Sequence, residues 1–205
     1  MSQSTSPNTW VRSCLRWTIA LQCAGYFFDA RFGEGSIFEF LFLTADLSET
    51  VAMAVSQVGS WSLLAAGLAT LFFRSNALLY GVAFWFLGSA AAEMQLGGAP
   101  FTHLSLLSHS VRFLVPLALV GFESTARADW DFADKLLKFG VGVVFISHGW
   151  EALSVHPRFV DYLLMTARRL PVATLAEPTA TIILQVIGVV DIVVGLAVLA
   201  GVRRK

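Results

Sequence analysis

Between Thr50 and Phe73 the chain carries no Asp, Glu, Lys or Arg. An apolar run of that length crosses the hydrocarbon core of a bilayer as one helix, which takes roughly 20 residues. Similar runs recur along the sequence, and the charged residues gather between them. Charged residues make up 14% of the 205 positions and apolar ones 56%, with a mean hydropathy of +0.69. An ordinary soluble domain carries about 25% charge. The 17 Phe and six Trp suit lipid-facing and interfacial positions. The pattern predicts an all-α fold, a polytopic membrane helical bundle in contact with the lipid bilayer. The ten-residue alternation of a membrane β-barrel is missing. Net charge is zero, and no basic run suggests a nucleic-acid partner.

Apolar periodicity places spans at about 13–31, 50–73, 77–96, 104–122, 136–153 and 179–201, about six transmembrane helices in a single membrane domain over 1–205. Lys135 and Lys138 can snorkel at the start of the short fifth span. Basic residues set the direction. One set of connecting segments holds Arg12, Arg16, Arg74, Arg127, Lys135, Lys138, Arg203, Arg204 and Lys205, and the opposite set only Arg31, Arg158, Arg168 and Arg169. The positive-inside rule then predicts a multi-pass protein of the inner (plasma) membrane with both termini cytoplasmic.

Cys14 and Cys23 share the first helix, where nine residues separate them by roughly 13 Å. A disulfide needs Cα atoms closer than about 7 Å, so the two do not pair. No Cys-x-x-Cys is present, which argues against a thiol–disulfide catalyst. No small-x-small site follows the first apolar stretch, so the first helix is expected to be retained.

The chain also repeats itself. Lys138–Leu153, KFGVGVVFISHGWEAL, matches Arg16–Ala30, RWTIALQCAGYFFDA, at an offset of 122. Arg16 falls on Lys138, Tyr26 on His148 and Asp29 on Glu151. At the same offset, Ile37–Thr44 falls on Phe159–Thr166. Both are too short to span and carry flanking charge, as interfacial helices do. Gln57–Leu71 then matches Gln185–Leu199, with Gly67 on Gly195. The reading is two parallel repeat units, about 15–71 and 137–199, each a span, a short interfacial helix and a span. A central helix pair at about 77–122 separates them.

The basic residue, apolar run and HGWEAL of Lys138–Leu153 resemble a signature of the DoxX-like family of small integral membrane proteins. Asp191-x-x-x-Gly195 with Gly201 and Arg203 resembles the same family's acidic, glycine and basic pattern, and Gly67 with Arg74-Ser-Asn-Ala-Leu-Leu its counterpart in the first unit. Ala152 and Leu63 depart from that pattern, where the family has a polar and an acidic residue. The resemblance implies the membrane fold. It also implies an accessory role beside membrane or periplasmic redox proteins, in some members coupled to quinones.

Polar residues within the spans are the candidate site, because a charge at membrane depth costs roughly 2.5–3.5 kcal/mol unless it is paired or used. Gln22, Tyr26 and Asp29 form one stripe at helical spacing. Ser105, His109 and Arg112 form another, Ser89 and Glu93 a third, and His148 and Glu151 a fourth. All four reach the outer ends of their helices, so His148, Glu151, Arg112, His109, Glu93, Asp29 and Tyr26 are the candidate ligand-binding residues of one outer-leaflet pocket. Arg112 is the expected ion-pair partner of Glu93, Asp29 or Glu151. The plainer reading is that such a pair only holds the bundle together. Asp191, mid-span in the last helix, is expected to bond across a helix interface. His103, His109, His148 and His156 match no metal motif, so no metal is expected.

Three functions stand side by side. The first is an accessory subunit of a membrane redox system with a pocket for a quinone or similar small amphiphile. The second is a small-molecule transporter or channel using the same pocket, and the third a scaffold without a ligand. No catalytic residue is assigned.

Overall fold

The computed structural model describes residues 9–32, 35–96, 100–169 and 175–202. Among them every regular element is a helix. Helix α1 covers Thr9–Phe32. A short α2, Ser36–Glu39, runs on into a π-helical turn, Phe40–Thr44. Then come α3, Glu49–Phe72, and α4, Asn76–Leu96. A 3₁₀ turn, Thr102–Leu104, leads into α5, Ser105–Ser108, and then α6, Ser110–Glu123. The chain ends with α7, Arg127–Leu153, α8, Pro157–Arg169, and α9, Glu177–Val202. The all-α bundle expected from the sequence is what forms.

Five helical runs are long and apolar enough to cross a membrane: Glu49–Phe72, Asn76–Leu96, Thr102–Glu123, Arg127–Leu153 and Glu177–Gly201. The chain is a multi-pass membrane protein by this measure. The expected first span, α1, has the length at 24 residues. It lacks the apolarity, because Arg12, Arg16, Gln22, Asp29 and Arg31 interrupt it. Five described helices therefore meet both conditions where six spans were expected.

Local chemistry explains the element ends. Pro157 opens α8 and Pro178 lies in the first turn of α9, positions where a missing N–H costs nothing. Glu49, Asp129 and Glu177 sit in first turns, complementing the helix dipole. The fifth expected span, 136–153, starts earlier than expected, since α7 begins at Arg127. Its 27 residues reach roughly 40 Å at 1.5 Å per residue, beyond the hydrocarbon thickness. The added turns are amphipathic: Trp130 Nε1 donates to Ser124 O at 2.6 Å, Ser124 bonds Asp129, and Lys138 bonds Asp134 at 2.6 Å.

The core is the meeting of α1, α3, α4 and α6. Ile19, Cys23, Leu63, Phe86, Val115 and Leu119 interlock there. Arg16 ties one end of this core together. Its guanidinium donates to Glu123 Oε1 at 2.7 Å, to the carbonyl of Thr70 in the last turn of α3 at 2.5 Å and to that of Phe73 just after it at 3.3 Å. Those carbonyls lie at a helix C-terminus, where α3 has no further turn to bond them. Helix α7 joins the core through α6, where Ala118 and Phe122 meet Ala133.

Helix α9 packs against α7 by backbone. A methyl added at Gly149 would lie 2.7 Å from Gly188 O, and one at Gly195 would lie 2.7 Å from Gly142 O. Only glycines allow that approach, the usual device where lipid supplies no hydrophobic drive between helices. The remaining faces of α9 are open. Ile182, Val186, Val193 and Leu196 are exposed, as suits lipid contact.

The fourth span is broken twice. His109 leaves helical geometry at φ −105° and ψ 6°, separating α5 from α6. Pro116, fully buried inside α6, cannot donate to the Arg112 carbonyl one turn back. Irregular backbone at membrane depth is tolerated where protein surrounds it.

Candidate functional site

Among the described residues, hydrogen bonds join the four polar stripes as three pairs. In the first, the Tyr26 hydroxyl lies 3.3 Å from Ser89 Oγ, whose own hydrogen goes to the Trp85 carbonyl at 2.9 Å. Tyr26 is buried, with its ring edge-on to Trp85 and Phe86. In the second, His109 Nε2 is 2.9 Å from Glu93 Oε2. In the third, His148 Nδ1 is 3.2 Å from Glu151 Oε2, and Ser108 Oγ donates to Glu151 Oε1 at 2.6 Å.

Arg112 does not fill the role the sequence suggested. It is exposed, and no carboxylate lies within 4.0 Å of it among the described residues. The physical reason is competition within one helix face: His109, three residues earlier, reaches Glu93 and takes its carboxylate. Asp29 is also exposed and makes no ion pair among the described residues. A largely buried ion pair across the bundle is Arg16–Glu123, at the opposite helix ends.

Sequence reasoning missed one residue of the site. Buried Ser108 donates to Glu151 Oε1 on α7. It lies three residues after Ser105 and four before Arg112, so it shares their helix face. That spacing was the available signal, passed over because Ser108 carries no charge.

A cleft of about 440 Å³ lies between α7, α8 and α9. Val144, Phe145, Phe159, Leu163, Leu184 and Ile187 form most of its wall, with His148, Asp191, Tyr162 and Thr166 as its polar groups. Of the seven candidate residues only His148 lines it. Glu151 stands behind His148, and Tyr26, Asp29, Glu93, His109 and Arg112 are not on the wall. Asp191 comes level with His148 through the glycine contacts. Gly188 sits against Gly149 and Gly195 against Gly142, so the residue between them faces the middle of α7. Asp191 thus borders a cavity and not a closed helix interface.

Helix α8 forms the third wall, and the turn before it sets its place. Val155 has φ 56°, a left-handed conformation that costs a branched residue about 1–2 kcal/mol. The turn closes with His156 N donating to Glu151 O at 3.0 Å and Val155 N to Ala152 O at 3.1 Å. It brings Phe159 to 5.9 Å from the His148 ring and stacks His156 on Phe159 at 5.0 Å. His103 is exposed. No cluster of three or more His, Cys, Asp or Glu suited to a metal occurs among the described residues.

Comparison with known proteins gives no match: no family model, no curated protein and no solved structure is similar to this chain. Its function has to be read from the site.

Proposed function

We propose that this membrane protein binds a small amphiphile, of quinone type, in the α7–α8–α9 cleft, as an accessory subunit of a membrane redox system. The observation that carries this reading is the cleft. At about 440 Å³ it falls within the 300–1,000 Å³ range of small-molecule sites. Its wall is mainly apolar, with His148 and Asp191 as localised polar groups. A flat ring with polar oxygens and an apolar tail matches that lining. Membership of the DoxX-like family belongs to the same proposal and rests on the HGWEAL and Asp191-x-x-x-Gly195 patterns.

The two-repeat organisation is part of this reading. Two contacts support it. Gly67 of α3 packs on Cys23 and Ala20 of α1, and Gly195 of α9 packs on Ile146 and Gly142 of α7. Ala20 and Gly142 stand at the offset of 122 that aligns α1 with α7, and Gly67 and Gly195 at the offset of 128 that aligns α3 with α9. The proposal also takes α1 as a sixth span, with both termini on the cytoplasmic side of the plasma membrane. Support comes from Ile19, Cys23 and Tyr26, buried among α3, α4 and α6 along the length of α1. Labelling from outside tests the topology in a background without Cys14 and Cys23. His103→Cys should react and Asp129→Cys should not, and the reverse would invert the orientation.

The ligand test uses purified protein. Wild type should carry a lipid-soluble compound, or gain thermal stability with added quinone analogues. His148→Ala should lose both with little change in melting temperature. A chain that neither carries nor responds to such ligands, yet melts earlier on His148→Ala, is a scaffold.

A further inference from the structure

Glu151 is a buried acid with both oxygens engaged. Ser108 Oγ donates to Oε1 at 2.6 Å, and His148 Nδ1 stands 3.2 Å from Oε2. Ser108 is itself buried and held in α5, just before the break at His109. A carboxylate is an acceptor only, so the group facing it has to bring a hydrogen. The Nδ1 of His148 therefore carries the proton. In a neutral imidazole the other nitrogen is then a bare acceptor, and the partner of one nitrogen decides the role of the other.

That other nitrogen, Nε2, has no partner among the described residues, and His148 lines the cleft with its side chain 36% exposed. Asp191, across the cleft on α9, supplies carboxyl oxygens. The two strongest polar groups on the wall thus both present acceptors. Most of the remaining lining is apolar and rewards a hydrocarbon tail.

We infer that the cleft selects amphiphiles that donate a hydrogen bond, such as phenols and hydroquinones, over isosteres that only accept. Ser108 and Glu151 are the positioning residues that set this preference. The inference rests on the reading of the cleft as a ligand site, but it concerns the hydrogen-bonding form of the ligand and not its redox role. A site whose acceptor is left unpaired by the wrong ligand discriminates more sharply than one that only adds apolar contact. The preference should be on the order of tenfold or more, since a tenfold change corresponds to roughly 1.4 kcal/mol.

The test uses the full chain in lipid nanodiscs. Nitrogen-15 spectra of labelled histidine should show His148 protonated at Nδ1. A 4-alkylphenol should bind about tenfold or more tighter than its methyl ether, and a short-chain hydroquinone tighter than its quinone. Glu151→Gln should reverse the order: its amide can donate to Nδ1, which moves the ring proton to Nε2 and turns an acceptor into a donor. Ser108→Ala should blur the Nδ1 signature and narrow the preference, and Ser108→Thr should restore both. These readouts do not move for a residue that only supports the fold, and the wild-type spectrum needs no variant to fold. An Nε2-protonated His148, or equal affinity for phenol and ether, overturns the inference. A phenol preference without binding of hydroquinone or quinone keeps the inference and removes the quinone-type function. Binding of none of the four probes removes both.

Discussion

Helix α1, in one hairpin with α3, and helix α7, in another with α9, carry polar residues at an offset of 122 — Arg16 and Lys138, Tyr26 and His148, Asp29 and Glu151 — yet use them differently. Arg16 is a clamp, its side chain 13% exposed and bonded to Glu123 and to two carbonyls at the end of α3. Lys138, at the matching position, makes a half-exposed pair with Asp134 one turn away. Tyr26 is sealed against Trp85 and Phe86, whereas His148 faces a cleft. Asp29 is exposed and unpaired among the described residues, whereas Glu151 is buried and doubly bonded. Surroundings account for the difference. Helices α4 and α6 close over the first hairpin, so its polar groups fasten the bundle. The second hairpin stands at the edge, covered by α6 on one side and α8 at one end, so its polar groups border open space.

The comparison breaks most visibly at the basic positions. Arg16→Ala leaves Glu123 with only Arg74, at 3.7 Å, and strands the carbonyls at the end of α3. Loss of a buried partner costs about 3–5 kcal/mol. Lys138→Ala removes a helical i,i+4 pair worth roughly 0.3–0.5 kcal/mol. Reversible unfolding in mixed micelles measures both, and equal losses would mean that the two hairpins are held alike. Next comes the glycine seam. Gly149→Ala drives a methyl into Gly188 O and should cost about 1–3 kcal/mol by overpacking. Gly81→Ala meets nothing within 4 Å and should be neutral or stabilising by up to about 1 kcal/mol. If Gly149→Ala is also silent, α7 and α9 are not in backbone contact.

Smaller effects sharpen the contrast. Tyr26→Phe gives up the contact with Ser89 and should cost about 0.5–1.5 kcal/mol, with no change in ligand binding, because Tyr26 is not on the cleft wall. A loss of ligand in this variant would place the site in the first hairpin. Asp29→Asn should stay within about 0.5 kcal/mol, as exposed substitutions do. A larger loss would show that Asp29 has a partner of the kind Glu151 has.

The helices were legible because bilayer solvent demands long apolar runs with internally bonded backbone, and such runs can be read from composition. Expected spans two to six correspond to helical runs of the fold, and both short interfacial segments are helical. The start of α7 was missed because its first turns are amphipathic and look like a loop on a hydropathy scale. For the site, the pairing of His148 with Glu151 follows from i,i+3 spacing on a helix. The partner of Glu93 was not foreseen, since Arg112 was expected there and His109 takes the place, and Ser89 with Tyr26 was foreseen only as two stripes facing one pocket.

Which groups share a cavity was decided by tertiary structure alone. Helix packing brought Ser108 of α5 against Glu151 of α7, and it gave Glu93 to His109 while leaving Arg112 more than 4.0 Å from any carboxylate among the described residues. Asp191 reached the level of His148 only because glycines at 142, 149, 188 and 195 let two backbones touch in one register. Local sequence determined the helices and the ends that are polar, since hydrogen bonding and burial in lipid act residue by residue. The cleft depends on how two helices approach and where a third is turned to cover them, and those contacts join positions far apart in the chain.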